Sequence, residues 1–287
     1  MEKTILVTGG LGYIGSHLIF NLLSYQHDII ILDNKSNNYV DEIQGTTTYI
    51  GDLNNTKLLQ KIFKKHSIDC VIHLAAKKSV EESKENPLDY YQENVSNTIN
   101  LLKYSNCKNI IFASSASMYG DNDCCQVTSE LHPNSPYAQT KVMCEQILKD
   151  IYDSAYNITI LRIFNPIGYV FNGKSSGNLL DRICDSIKND QKLTVFNQGN
   201  DIRDYVYIED LVRVILKSID NKGFNITNVG TGQGVSTNEI LSYFPELNGN
   251  LVYNSTNNST KLVSDTGIKI TRSLSEIIES IRKVKLI

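Results

Sequence analysis

The stretch TILVTGGLGYIGSHLIF, residues 4–20, constrains this chain more than any other. A continuous apolar run leads into a glycine-rich turn, and apolar residues at helical spacing begin at once. Gly9, Gly12 and Gly15 form the pattern GxxGxxG. In a strand–turn–helix the first glycine permits the tight turn. The second lets a pyrophosphate approach the backbone, and the third lets helix and strand pack closely. The helix N-terminus then offers open N–H groups and partial positive charge to the anion. The expectation is a dinucleotide-binding unit. The second apolar run, DIIILDN, ends in Asp33. An acid there accepts hydrogen bonds from an adenosine ribose diol and repels a 2′-phosphate, which favours NAD over NADP. Asp52, in GDL after the third run, reads either as a contact to the adenine edge or as a helix N-cap.

The rest of the first half repeats the strand–helix alternation. TTYIGD, DCVIHLAA, KNIIFASS and ITILRIFN read as strands; NTKLLQKIFKKH, PLDYYQENVSNTINLLKYS and SPYAQTKVMCEQILKDIYDSA read as helices. The strands are unbroken apolar runs, as in a parallel sheet covered on both faces. The predicted fold class is α/β: a Rossmann-type doubly wound parallel sheet with a smaller C-terminal α/β substrate domain. After Asn165 the rhythm changes to Gly/Ser/Asn-rich loops between shorter elements. The expected division is residues 1–165 plus about 203–229 for the cofactor domain, and about 166–202 plus 230–287 for the substrate domain.

With 28 Lys and Arg against 31 Asp and Glu, the net charge of −3 gives no basic excess for nucleic acid. No apolar run approaches the ~20 residues of a membrane span, and the N-terminal residues lack the pattern of a signal peptide. The six cysteines (Cys70, Cys107, Cys124, Cys125, Cys144 and Cys184) have neither CxxC spacing nor paired histidines, so no metal site is expected. Cys70 and Cys107 read as core or near-core thiols and Cys124-Cys125 as loop. A reduced, cytoplasmic setting fits. His73, within a buried strand, reads as a core histidine rather than a ligand.

The chemistry points to SPYAQTK, residues 135–141. Ser135-Pro136 suits a helix start, with a capping hydroxyl followed by proline at the first helical position. Tyr137 and Lys141 then share one helix face. A lysine ammonium near a phenol favours phenolate and makes tyrosine usable as a base. On its own such a pair is more often just part of an amphipathic helix. Here FASSASMYG ends the preceding strand and supplies Ser115 at a carboxyl end, where ligands bind in such sheets.

Ser115 with Tyr137-x-x-x-Lys141, behind TGxxGxxG, resembles the extended short-chain dehydrogenase/reductase family over almost the whole chain. Within it the chain is similar to the UDP-galactose (UDP-glucose) 4-epimerases in TGGLGYIGSH, VIHLAAKKSVEES, YYQENVSNTINLL, SSASMYGD, SPYAQTKVMCEQIL and LRIFNPIG. The resemblance implies catalytic roles for Ser115, Tyr137 and Lys141. It implies NAD contacts from Gly9, Gly12, Tyr13, Ile14, Gly15, Asp33, Asn34, Asp52, Leu53, Leu74, Ala75, Ala76, Lys78, Asn94, Tyr137, Lys141 and Phe164. Substrate contacts are implied for Lys78, Ser115, Ala116, Ser117, Asn165, Asn178, Leu179, Phe196 and Arg203. An arginine suits a diphosphate because its planar fork binds two oxygens. The substrate so implied is a nucleotide-diphosphate sugar, UDP-hexose first. The partner is a second copy of the chain, docked through helices containing residues 87–105 and 136–155. Related dehydratases carry Asp-Glu where Ala116-Ser117 stand, and decarboxylases carry Glu in place of Ser117, so neither elimination nor decarboxylation has its acid.

The sequence also departs from the epimerases. Their Arg-x-Gly-Asp stretch is replaced by YNSTNNSTKL, with Ser255 and Asn258 in place of Arg and Asp, and Ile163 stands where they carry tyrosine. The expected chemistry is transient oxidation at C4, turning of the 4-keto sugar, and return of the electrons to its other face. A 4-keto-sugar reductase or 4-dehydrogenase on the same scaffold is the alternative. A cofactor-binding sensor without activity is disfavoured by the intact Ser/Tyr/Lys set.

Overall fold

In a computed structural model the structure describes residues 2–37, 39–121, 125–169, 177–247, 249–254, 260–265 and 267–286. In chain order the main elements begin with β1 (Thr4–Thr8), α1 (Tyr13–Ser24), β2 (Asp28–Asp33), β3 (Thr47–Ile50), α2 (Thr56–Lys65), β4 (Cys70–His73) and α3 (Val80–Glu85). There follow α4 (Pro87–Tyr90), α5 (Asn97–Tyr104), β5 (Asn109–Ser115), α6 (Pro136–Asp150), β6 (Asn157–Ile163), β7 (Asn165–Ile167), α7 (Leu179–Lys188) and β8 (Leu193–Phe196). The chain ends with β9 (Ile202–Tyr207), α8 (Ile208–Ser218), β10 (Phe224–Val229), β11 (Gly234–Ser236), α9 (Thr237–Ser242), β12 (Leu251–Asn254), β13 (Lys261–Leu262) and α10 (Leu274–Lys285).

The chain divides into two compact units, the first comprising residues 1–120, 131–162 and 212–227. Its framework is a seven-stranded sheet in the order β10-β6-β5-β4-β1-β2-β3. Strands β1, β2, β3, β4 and β5 pair in parallel. Such pairing needs crossovers, and the helices predicted between the apolar runs provide them. The chain starts at β1, winds out to β3, then crosses back to β4 and continues the other way. The direction therefore reverses between β1 and β4, where Thr8 stands opposite His73 at the carboxyl ends. A doubly wound sheet binds its ligand at such a switch point.

One core layer packs Leu6, Ile30, Leu59, Ile62, Phe63, Val71 and Leu101. Another packs Phe112, Cys144, Leu148, Ile158 and Ile160. Each fully buried side chain of this size contributes about 1.5–3 kcal/mol over its exposed state. The second layer fastens α6 to β5, the two elements that carry the catalytic candidates.

The segment 87–105, read from sequence as one helix, has a π-helical turn at Tyr91–Ser96 between α4 and α5. Such turns often mark functional positions, because the widened ladder re-aims side chains. This one carries Asn94.

The second unit holds residues 121–130, 163–211 and 228–287. In it β9 pairs with β7, β11 and β13, while β12 pairs with β8. The return to the first unit falls at residue 212 instead of about 203, and residues 121–130 also belong to the second unit. The reason for the first difference is β9: three strands of the second unit form its hydrogen-bonded neighbours. Fully buried Asp204 on β9 anchors this unit by accepting from the Thr231 N–H and hydroxyl, the Gly232 N–H and the Ser264 N–H. Cys125 is not loose loop. It is buried and forms a single parallel bridge with Ser264. Cys124, Ser255 and Asn258 lie outside the described residues.

Candidate active site

The glycine turn is built as its spacing requires. Gly9 has φ +71°, and a Cβ there would lie 2.8 Å from the Ala75 nitrogen. A Cβ on Gly15 would lie 2.3 Å from the Gly9 carbonyl oxygen, so α1 packs directly on the turn. Gly12 stands at the N-cap of α1, and no side chain caps the helix. Its first-turn N–H groups are therefore not claimed by a capping side chain, which suits a pyrophosphate. Asp33 is buried at the end of β2. Its carboxylate accepts from the Leu11 N–H at 3.0 Å and the Lys35 N–H at 2.7 Å. Burial raises its pKa, opposed by those backbone bonds and by the Lys35 charge.

Asp52 does not cap α2; Asn55 does. The Asp52 carboxylate accepts from Asn34 Nδ2 at 2.7 Å, Asn54 N–H at 2.8 Å and Asn97 Nδ2 at 3.1 Å. It thereby joins the ends of β2 and β3 to α5. Leu53 packs in the core with Leu6 and Ile30. Tyr13 is buried beside His17 and Tyr39, with centroids 5.6 Å and 5.9 Å away, and Ile14 is half-buried on the same turn. Leu74, Ala75 and Ala76 follow β4 half-buried, and Lys78 is exposed with its Nζ 5.7 Å from the Tyr39 ring centroid.

A chain of buried polar groups links this end of the sheet to α6. The Ala75 N–H donates to Thr8 Oγ1 at 3.3 Å, and Thr8 Oγ1 lies 2.7 Å from His73 Nδ1. His73 Nε2 lies 2.9 Å from Thr98 Oγ1, which donates to the Asn94 carbonyl at 2.6 Å. Because the Thr98 hydrogen is spent on Asn94, Nε2 carries the imidazole proton and Nδ1 accepts from Thr8. Burial, with the Lys141 charge behind it, lowers the His73 pKa to about 3, so the ring is neutral. Asn94 continues the chain: Oδ1 accepts from the Lys77 N–H, while Nδ2 donates to the Lys77 carbonyl and to Thr140 Oγ1. Thr140 then donates to the carbonyl of Tyr137 at 2.6 Å. His73 is thus the core histidine expected from its strand, and it is also a spacer between the glycine turn and α6. Sequence alone named Asn94 and His73 but not Thr8, Thr98 or Thr140, because threonine in a strand or helix carries no motif.

The start of α6 is as predicted. Ser135 caps it, accepting from the Ala138 N–H at 3.2 Å, and Pro136 is the first helical residue. Tyr137 lies edge-on to buried Tyr90, with centroids 6.5 Å apart. Lys141 is buried. Its Nζ donates to the Ala113 carbonyl at 2.8 Å and stands 5.9 Å from the Tyr137 ring centroid. Desolvation lowers the Lys141 pKa to about 8, opposed by Cys144 and Glu145. The Tyr137 phenol is raised by burial, against a Ser115 hydrogen bond that favours phenolate. The depression of the phenol expected from the lysine is therefore not found: burial leaves its pKa raised. The Ser115 hydroxyl also accepts from the Ser117 N–H at 3.2 Å. Ser115, Tyr137 and Lys141 are therefore brought together at the β5 end. Ala116 is buried. The buried Ser117 Oγ has no hydrogen-bond partner among the described residues, a polar atom suited to a sugar hydroxyl.

The other substrate candidates lie in the second unit, with Phe164, a cofactor candidate. Phe164 is buried, and its N–H donates to the Val229 carbonyl at 3.1 Å. Asn165 Nδ2 donates to the Asp204 carbonyl at 3.2 Å. Asn178 caps α7 by accepting from the Asp181 N–H at 2.9 Å, and Leu179 is the first residue of that helix. Phe196 ends β8 with half its surface exposed. The Arg203 guanidinium donates to the Ile202 carbonyl and to the carbonyl and hydroxyl of Thr260.

Residues 5–230 match the family model of the NAD-dependent epimerase/dehydratase family. The chain belongs to that family. A UDP-glucose 4-epimerase of Yersinia enterocolitica is 38% identical over 86% of this chain and 83% of its own length. One from Bacillus subtilis is 36% identical over 85% of this chain and 82% of its own length. The solved structure of a Thermotoga maritima UDP-glucose 4-epimerase with UDP-glucose superposes with a TM-score of 0.87 at 28% identity, covering 98% of this chain and 99% of that one. A Bifidobacterium longum UDP-glucose 4-epimerase, in complex with NAD+ and UDP, gives a TM-score of 0.85 at 28% identity over 96% of each chain. NAD is the family's cofactor. The Gly9–Gly15 turn, uncapped α1 and Asp33 carboxylate fit it.

Proposed function

We propose that this chain is an NAD-dependent nucleotide-sugar 4-epimerase that interconverts UDP-glucose and UDP-galactose. The observation that carries the reading is the convergence of Ser115, Tyr137 and Lys141 at the end of β5, on a chain that aligns with UDP-glucose 4-epimerases over most of its length. NAD, when bound, supplies the two-electron acceptor and donor for the sugar carbon and a positively charged ring. The chain's residues do the rest. Tyr137 takes the proton of the C4 hydroxyl and later returns it. Ser115 donates to the C4 oxygen and so holds it against the phenol. Lys141, fixed to the Ala113 carbonyl, keeps a positive charge beside the forming phenolate in a poorly solvated site, where such a charge acts strongly. Ser117, whose buried hydroxyl has no hydrogen-bond partner among the described residues, suits a polar sugar edge. Arg203 carries a planar fork of the kind that suits a diphosphate.

The expected setting is the cytoplasm, which suits the buried free thiols of Cys70, Cys107 and Cys144. The expected assembly is a homodimer. Leu88, Ile99 and Met143 are 80%, 44% and 38% exposed on the helices named for docking, and large exposed apolar residues there suit a partner face. A single monomeric mass by sedimentation across a wide concentration range would rule the dimer out.

The test is proton NMR of UDP-galactose incubated with the purified protein and no added cofactor. Appearance of UDP-glucose is the expected result and shows that the protein carries its own NAD. If none appears, the reading of the substrate is wrong. Addition of NADH and a nucleotide 4-keto sugar would then reveal the reductase alternative.

A further inference from the structure

Tyr137, Lys141 and Glu145 stand four apart on α6, so they form one stripe on one face. Three successive residues of β5 meet that stripe. Ser115 bonds Tyr137, the Ala113 carbonyl takes the Lys141 ammonium at 2.8 Å, and Ser114 Oγ donates to Glu145 Oε1 at 2.5 Å. The carboxylate of Glu145 also holds a fork from Arg162 on β6, with Nε at 3.1 Å and 3.2 Å from its two oxygens and Nη2 at 2.7 Å. Arg162 Nη1 donates to the Tyr119 hydroxyl at 2.9 Å. Tyr119 closes the 3-10 turn Ala116–Tyr119 that follows Ser115. Ser114, Tyr119, Glu145 and Arg162 are all buried. The network therefore clamps the backbone on both sides of Ser115 to the helix that carries Tyr137 and Lys141.

We propose that Glu145 is a positioning residue for the reaction, acting on Ser115 through Ser114 and the Arg162–Tyr119 clamp, and on Lys141 through its negative charge. Its buried carboxylate is engaged by Ser114 and Arg162. A structural ion pair alone needs no connection to the catalytic strand. Here the same carboxylate reaches the residue before the catalytic serine, while its charge lies one turn from the catalytic lysine. The ionisable groups that act on or face Lys141 among the described residues are Tyr137, Cys144 and Glu145 on its own helix and His73 on β4. Glu145 is the carboxylate that raises the Lys141 pKa. Removing its charge takes away a carboxylate that favours the charged lysine, so Lys141 moves toward its neutral form.

The inference rests on the activity proposed above, so its test includes a readout that needs no turnover. Glu145→Gln keeps the shape and removes the charge. In the variant, the Lys141 ionisation followed by carbon-13 NMR, and assigned with Lys141→Met, moves down by about one pH unit or more. With UDP-galactose, kcat falls about tenfold or more, its alkaline limb moves the same way, and KM stays within about twofold. The double variant Glu145→Met/Arg162→Met replaces the pair by apolar groups and restores stability. Ser114 still lacks its acceptor there, so kcat stays about tenfold down. The proposal is overturned if Glu145→Gln leaves the Lys141 midpoint and kcat unchanged, or if the double variant regains the parent kcat together with its stability. If Glu145→Gln does not fold, the double variant alone decides. A parent enzyme without turnover would refute the proposed substrate while leaving the NMR titration to judge Glu145.

Discussion

Lys141 lets stability and chemistry be weighed against each other. Burial lowers its pKa from 10.5 to about 8. That gap of about 2.5 pH units corresponds to about 3 kcal/mol at ~1.36 kcal/mol per unit. The sign follows from proton counting. Between pH 8 and 10.5 the unfolded chain holds a proton on this lysine that the folded chain has released, so the folded state gains relative stability as pH rises. Below pH 8 both states are charged and folding bears the full cost of burying the ammonium. Lys141→Met removes that dependence. The variant also loses the bond to the Ala113 carbonyl and changes packing, but these offsets do not vary with pH. Urea unfolding of both proteins, with matched NAD content, should therefore show the parent gaining on the variant by about 3 kcal/mol between pH 7 and pH 10.5. A difference that stays flat across this range would refute the desolvation argument, and with it the account of how a lysine on α6 remains poised near neutrality.

Two further perturbations test the frame around the site. His73→Leu leaves the Thr8 hydroxyl without its acceptor and Thr98 without its donor, so unfolding free energy should fall by about 2–4 kcal/mol, read from urea titrations at constant m-value. An unchanged midpoint would mean that the polar chain is decorative. Gly9→Ala forces a side chain onto φ +71° and to 2.8 Å from the Ala75 nitrogen. It should cost about 2 kcal/mol or more and lower the NAD recovered from purified protein, measured by chromatography after denaturation.

Much of this was legible in the sequence because it is local. The glycine turn, the Ser135-Pro136 helix start, the unbroken apolar strands and Asp33 at a strand end all depend on neighbours within a few residues. The π turn at Tyr91–Ser96 was not legible, because it breaks a helix whose apolar spacing continues on both sides. Asp52 left two readings open; the structure excludes the cap, because Asn55 occupies it and Asp52 instead gathers Asn34 and Asn97. The second unit was read least well. Strand β9 looked like part of the return to the cofactor domain, yet its hydrogen-bond partners come from 165–167, 234–236 and 261–262.

By itself, then, the sequence determined a doubly wound parallel sheet, a glycine turn for a dinucleotide and a Tyr-x-x-x-Lys helix, since period, turn chemistry and capping are properties of short segments. Only the tertiary structure decided which distant groups meet: His73 between Thr8 and Thr98, and Glu145 between Ser114 and Arg162. It also decided that the lysine of that helix is buried, with its pKa near 8 instead of 10.5. Desolvation and long-range hydrogen bonds arise only when segments far apart in the chain are packed together, and no local pattern records them.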